Sequence, residues 1–331
     1  MNWKLLSKIG INTGIGVVLI IIWLKLVNIG EILKVLETIN LIIIFPCLLL
    51  LVMLTIFRSL RLKIFLSQFE VSFKDLLNLN FLSQLLSFLI PIRAGEITKS
   101  VYLTTQYKIP LTRALIIIFV DRFFDFWLIV FCSLVLLILI PNNLPTGLIS
   151  GLTFSLIIFS TGTLLLIAIP YQLRQLLLNF KNYLVFSFVK KIYTQIIEFI
   201  TDIGILLNSR KSNLVAIIGL SFLAIISEAV LWYILFTSLF TSVNPFSIWL
   251  GSMLNSLTFL IPAAPGYVGS AEAAGLAVFN LGLGYDKTGV AAATILYHAF
   301  VLIFMLIFGL LGLYLLKFDL RKVWIKLTQR N

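Results

Sequence analysis

One histidine and two cysteines are the whole supply of soft metal ligands in this 331-residue chain, and only 13 residues are acidic. No metal-ligand cluster at zinc-type spacing is legible among them. The chain also lacks a glycine-rich phosphate loop, a nucleophile elbow and a dinucleotide fingerprint, so no cofactor and no enzyme activity is expected. Cys47 and Cys132 both fall inside apolar runs, where a thiol serves as a small packing residue. Charge is scarce as well: 11% of residues are charged, against about a quarter in a soluble domain.

What fills the chain instead is hydrocarbon. Sixty per cent of residues are hydrophobic, 28 of them Phe, and the mean hydropathy is +1.11. A disordered chain would be poor in Leu, Ile and Phe, and a soluble core of this size has no room for such runs. The expected fold class is an all-α polytopic membrane protein forming a single membrane domain over residues 1–331. A spanning helix needs about 20 mostly apolar residues, and six segments qualify: about 9–27, 41–57, 114–140, 147–169, 213–239 and 289–316.

Two further apolar stretches are broken. One runs from Leu76 to Ile90 and meets Pro91, Arg93, Gly95 and Glu96; the other runs from Phe246 to Ile261 and meets Pro262, Pro265, Gly266, Gly269 and Glu272. A helix, a breaker, glycine and a carboxylate make the pattern of a re-entrant helix, which survives at membrane depth only where protein or a water-filled cavity covers it. If both broken helices return to the side they came from, twenty-one basic residues lie on the N-terminal side and three on the other. By the positive-inside rule both termini are then cytoplasmic, so the net charge of +12 reflects orientation in a cell membrane, and no nucleic-acid partner is expected. The stretch 182–207 carries apolar and charged residues on separate helical faces and reads as an amphipathic surface helix.

The broken stretches resemble one another. Gln84–Pro91 reads QLLSFLIP and Asn255–Pro262 reads NSLTFLIP, with Gly95 and Gly266 at the same offset. A five-residue insertion then aligns Glu96 with Glu272, Thr112 with Thr288 and Arg122 with His298. The repeat halves are about 73–140 and 246–316. Three spans separate them, so the repeats are expected to be inverted across the membrane, as in secondary transporters that bind substrate where broken helices meet.

Ionisable groups inside a membrane are costly and mark function by default. The candidates are Arg93, Glu96, Asp121, Arg122, Asp125, Glu228, Glu272 and His298. Asp121 and Asp125 lie one turn apart with Arg122 between them, an arrangement that fits either a binding site or a self-neutralising cluster. Glu228 suits a proton or substrate site, or else a hydrogen bond between spans. Arg93 opens the half-helix after Pro91, where free N–H groups and a guanidinium fork together suit phosphate. Alternatively it pairs with Glu96 and holds the turn. His298 fits either packing or titration.

At Phe57–Arg61 (FRSLR), Ile90–Glu96 (IPIRAGE), Val120–Arg122 (VDR) and Ile261–Glu272 (IPAAPGYVGSAE), the chain resembles the lysylphosphatidylglycerol synthase transmembrane family, also called flippase-like domain proteins. The resemblance spans nearly the whole chain. It implies a membrane protein acting on lipids, and the expected activity is to move a phospholipid or an isoprenoid-linked lipid between leaflets, with membrane lipids of anionic headgroup as partners. The aminoacyl-transferring and glycosyltransferase domains of some relatives are not expected here, because the chain ends at Asn331 in a short basic tail. His298 stands where the family pattern more often has arginine. The resemblance also leaves two rival roles, an intramembrane lipid-modifying enzyme and a scaffold for a separate glycosyltransferase or lipid synthase.

Overall fold

Apolar runs of this length have no choice but to close their backbone hydrogen bonds within helices, and in the computed structural model they do. The described residues are 40–90, 94–140, 144–181, 211–258 and 265–317, with isolated positions between 30 and 37 and between 186 and 201. The helices are α1 (Ile44–Phe65), α2 (Phe73–Leu89), α3 (Ala94–Tyr107), α4 (Leu111–Leu139), α5 (Thr146–Ala168), α6 (Pro170–Lys181), α7 (Lys211–Thr237), α8 (Pro245–Thr258), α9 (Ser270–Gly275) and α10 (Lys287–Leu316). A π-helical stretch, Leu276–Gly282, continues α9, and the described residues contain no strand.

The chain is an integral membrane protein of all-α architecture. Among the described residues, α1, α4, α7 and α10 are long and apolar enough to cross a bilayer, and α5 carries a shorter apolar stretch, Thr146–Gly162. The expected first span at 9–27 lies outside the described residues, as does most of the amphipathic stretch 182–207.

Two sequence boundaries need correction. The span expected at 41–57 continues to Phe65, carrying Arg58 and Arg61 within the helix rather than in a loop. Arginine ends an apolar run only when it must reach water, and here Arg61 meets two aspartates and has no exposed surface. Lys99, also counted with the cytoplasmic loop, lies buried in α3.

Both broken helices are present as breaks. α2 ends at Leu89, and Ile90 turns to extended backbone (φ −120°, ψ 112°), the conformation that a following proline imposes. Pro91 and Arg93 lie outside the described residues, as does Pro262. On the second side, α8 ends at Thr258, Pro265 opens a single 3₁₀ turn, and Gly266 and Gly269 take positive φ (72° and 81°) before α9 begins. Helices α3 and α9 start 176 residues apart (94 and 270), and so do α4 and α10 (111 and 287), matching the spacing of the aligned acidic residues.

The packing exchanges these elements. α10 lies along α2, α8 lies against α4, and α1 pairs with α7. Polar side chains join the α1–α2 seam: Asn80 Nδ2 donates to Ser59 Oγ at 2.8 Å, and one turn on, Gln84 Nε2 donates to Thr55 Oγ1 at 3.1 Å. Between helices with only lipid tails for competition, such small-residue contacts and hydrogen bonds hold the pair.

Close backbone approach sets the break after α2. A Cβ on Gly95 would stand 2.0 Å from the Ser83 carbonyl oxygen, so only glycine allows α3 to start this close to α2. A Cβ on Gly147, by contrast, would meet nothing within 4 Å. Gly95→Ala is expected to destabilise the protein by about 1–3 kcal/mol, the usual cost of overpacking, and Gly147→Ala by far less. Thermal unfolding of the purified proteins in detergent checks the order; equal midpoints for the two variants would contradict the close approach.

Candidate functional site

Helix α1 brings Arg58 and Arg61 to the inner side of the bundle at a spacing of three, and α4 presents Asp121 and Asp125 at a spacing of four, so two like-facing pairs meet. Arg61 Nε donates to Asp121 Oδ1 at 2.8 Å, its Nη1 donates to Asp125 Oδ1, and the same nitrogen reaches Ser221 Oγ of α7 at 2.6 Å. Arg122 closes the far side, at 2.8 Å from Asp121 and 3.1 Å from Asp125. Arg58 Nε adds a contact to Asp125 at 3.3 Å. Both aspartates are buried, and each is shared by at least two guanidinium groups. The self-neutralising cluster open to the sequence reading is therefore present, with Arg58 and Arg61 as members.

A cavity of about 310 Å³ lies beside this cluster. Its ionisable lining is Arg58, Glu96, Lys99, Arg122, Asp125, Glu228 and His298. Neutral polar groups come from Asn80, Ser83, Gln84, Ser87, Ser256 and Tyr297, and Leu51, Leu54, Phe126, Ile129, Phe304 and Met305 form an apolar wall. Both broken regions reach it, the first through Ser87 and Glu96 and the second through Tyr267 and Ala271.

The two halves end differently at this cavity. Ser87 bridges the first break, accepting from the Gly95 N–H at 3.2 Å and donating to Glu96 Oε2 at 3.3 Å. In the second, the Gly269 N–H donates to Glu272 Oε2 at 2.7 Å. Oε1 of the same carboxylate lies 2.8 Å from His298 Nδ1, while His298 Nε2 lies 2.6 Å from the Gly266 carbonyl and so carries the proton there. Each carboxylate sits in the first turn of its helix, where free N–H groups and the helix dipole favour negative charge. Glu272 meets the cavity through His298, whereas Glu96 lines it directly.

Glu228, mid-way along α7, accepts hydrogen bonds from Ser256 at 2.8 Å and Tyr297 at 3.2 Å, tying α7 to α8 and α10. The Tyr297 ring stacks on the buried Trp232 at 4.3 Å, which fixes the phenol's direction. Glu228 thus makes hydrogen bonds between spans and also faces the cavity.

Of the eight residues singled out in the sequence, Glu96, Arg122, Asp125, Glu228 and His298 line this one cavity, and Asp121 and Glu272 each bond to a residue that does. Arg93 lies outside the described residues. The sequence reading missed Arg58, Arg61, Lys99 and Tyr297. A signal existed for the arginines, since the apolar pattern of α1 resumes after Arg58 in Leu60, Leu62, Ile64 and Phe65. Lys99 stands three residues after Glu96, on the same side of a short helix. Among the described residues, no group of three or more His, Cys, Asp or Glu side chains is placed to hold a metal ion.

The chain matches a family described as "Lysylphosphatidylglycerol synthase TM region" over residues 10–309. No curated protein and no solved structure matches it.

Removing one member of a buried ion cluster leaves the others unpaired, which costs about 3–5 kcal/mol. Arg61→Met should therefore lower the thermal midpoint sharply and reduce yield. Arg58→Met, which removes one longer and partly exposed contact, should cost much less. A mild Arg61→Met effect, measured in the same detergent, would mean that the two aspartates do not depend on Arg61.

Proposed function

The chain belongs to the lysylphosphatidylglycerol synthase TM region family, and from that premise we propose that it is a lipid transporter of the flippase type, moving a lipid with an anionic headgroup between leaflets. The observation that carries this reading is a cavity lined from both broken helices, with ionisable groups on one part of its wall and hydrocarbon on another. A lipid has the same division. Headgroups need polar partners to cross the bilayer core, and acyl chains need none. Arg58, Lys99 and Arg122 supply cations, Glu96, Glu228 and the Glu272–His298 pair supply acceptors or proton carriers, and Leu51, Phe304 and Met305 extend the apolar wall. The broken helices then form an inverted repeat around the site, as in other secondary transporters.

No rival reading has comparable support. A scaffold for another enzyme has no need of buried charges around an open volume.

Two tests apply. Glu228→Gln keeps the shape and an oxygen able to accept from Ser256 and Tyr297 but removes the charge. Hydrogen bonds to charged groups contribute about 1.5–3 kcal/mol, equivalent to about ten-fold or more in rate. Leaflet exchange of fluorescent phosphatidylglycerol in reconstituted vesicles should slow by at least about that factor, in protein that still folds and inserts. Wild-type protein that exchanges lipid no faster than empty vesicles would end the transport reading.

We also place both termini on the cytoplasmic side of a cell membrane. With Arg58, Arg61 and Lys99 taken into the bundle, eighteen basic residues still stand against three. In a background with Cys47 and Cys132 replaced, an impermeant thiol reagent applied to intact cells should label a cysteine at Asn142 and spare one at Gln329. The reverse pattern would invert the orientation.

A further inference from the structure

Helix α3 reads AGEITKSVYLTTQY, a polar sequence for a segment whose Ala94, Gly95, Thr98, Lys99, Ser100 and Val101 are buried. Thr98, Ser100 and Thr104 satisfy their hydroxyls on the carbonyl four residues back, so they make no demand on the surroundings. Lys99 differs. It is 3% exposed and lines the cavity. Among the described residues, no oxygen takes a hydrogen bond from its ammonium and no carboxylate comes within ion-pair distance of it.

The nearby carboxylates are already engaged. The charges acting on Lys99 are those of Arg122, Asp121, Glu96 and Arg58. Asp121 is held by Arg61 and Arg122, and Asp125 by Arg58, Arg61 and Arg122. Glu96 takes the Ser87 hydroxyl, and Glu228 takes two hydroxyls from other helices. Arg58 and Arg122 each have a carboxylate partner, whereas Lys99 lines the same cavity with none among the described residues, and its ammonium faces open volume. A buried ammonium without a counter-ion is strongly unfavourable, and an anion entering the cavity removes that penalty. Arg122 is oriented to help. Its side chain is 26% exposed and lines the same cavity.

We propose that Lys99 is the anion-binding residue of this cavity and that its ligand is the singly charged phosphodiester of a membrane lipid, with Arg122 beside it. One unpaired ammonium calls for one negative charge. A phosphodiester oxygen accepts from an ammonium's three donors without the planar match a guanidinium requires. The apolar wall of Leu51, Phe304 and Met305 gives the lipid's chains a place that free phosphate would leave empty. This assignment rests on the transport reading for its lipid, but its binding step is separable.

The test uses the full chain purified in detergent, with thermal unfolding and native mass spectrometry as readouts. Dioleoyl phosphatidylglycerol, dioleoylglycerol and inorganic phosphate are the three probes. Lys99→Met removes the charge while keeping the length, so its ligand-free protein should melt at or above the wild-type temperature, because an unpaired charge has gone. Its phosphatidylglycerol affinity should fall at least tenfold, and Lys99→Arg should stay within about threefold of wild type. Dioleoylglycerol should bind both proteins equally and weakly, and inorganic phosphate should protect neither.

A Lys99→Met protein that holds phosphatidylglycerol as tightly as wild type overturns the proposal. So does one that melts well below wild type, since the ammonium would then be satisfied inside the fold. Protection by inorganic phosphate without protection by phosphatidylglycerol overturns the lipid assignment in favour of a free anion. A wild-type chain that binds phosphatidylglycerol through Lys99 yet exchanges no lipid keeps this site and removes the transport reading. Unaltered binding by Lys99→Met together with wild-type exchange does the opposite.

Discussion

A guanidinium with no exposed surface, Arg61, is held between two carboxylates of one neighbouring helix and a hydroxyl of another. It pins three membrane helices, α1, α4 and α7, to one another at a single point. Everything around the cavity depends on that point. Arg58 and Arg122 take their directions from the remaining oxygens of Asp121 and Asp125, and both then face the cavity. In hydrocarbon the cluster cannot be relaxed by water, so its geometry is enforced by the penalty for leaving any member unpaired. Such a cluster contributes less to net stability than its contacts suggest, but it specifies one packing of three helices that apolar side chains alone would leave degenerate.

The second constraint is the broken backbone. Ending a helix at membrane depth frees carbonyl and N–H groups that lipid cannot satisfy. The described parts of both breaks show how these groups are satisfied locally. Ser87 takes the Gly95 N–H, Glu272 takes the Gly269 N–H, and His298 takes the Gly266 carbonyl. The same side chains that repair the backbone carry the polarity into the cavity, so the price of the break and the making of the site are one event.

Element positions were largely legible in the sequence, and partnerships were not. Apolar run length located α4, α7 and α10 within a few residues, and Pro91, Gly95, Pro265 and Gly266 marked the interruptions because their backbone restrictions are local. The QLLSFLIP segment covers the last turns of α2, and the described part of the aligned NSLTFLIP segment lies in the last turn described for α8. Arg58, Arg61 and Lys99 were misplaced because hydropathy treats a basic residue as a reason to leave the membrane. What keeps Arg61 inside is a pair of aspartates some 60 residues later in the chain. No window of local sequence contains that fact. The burial of Lys99 is non-local as well, since it follows from how closely Gly95 lets α3 approach α2.

The two halves are alike in backbone and unlike in charge. Where Arg122 stands in the first, permanently cationic and bound to aspartates, His298 stands in the second with both ring nitrogens engaged, one on Glu272 and one on a backbone carbonyl. The second half is thereby closed on itself: its histidine and carboxylate satisfy each other and offer little to an entering ion. In the first half the carboxylates are taken up by arginines and hydroxyls, and Lys99 is left without a carboxylate partner among the described residues. If Lys99 is the anion site proposed above, an entering anion is drawn to one half, although both halves build the walls. On that proposal, matching helix spacing with unmatched charge would give the ligand a defined orientation, which the same helices with symmetric charge would not.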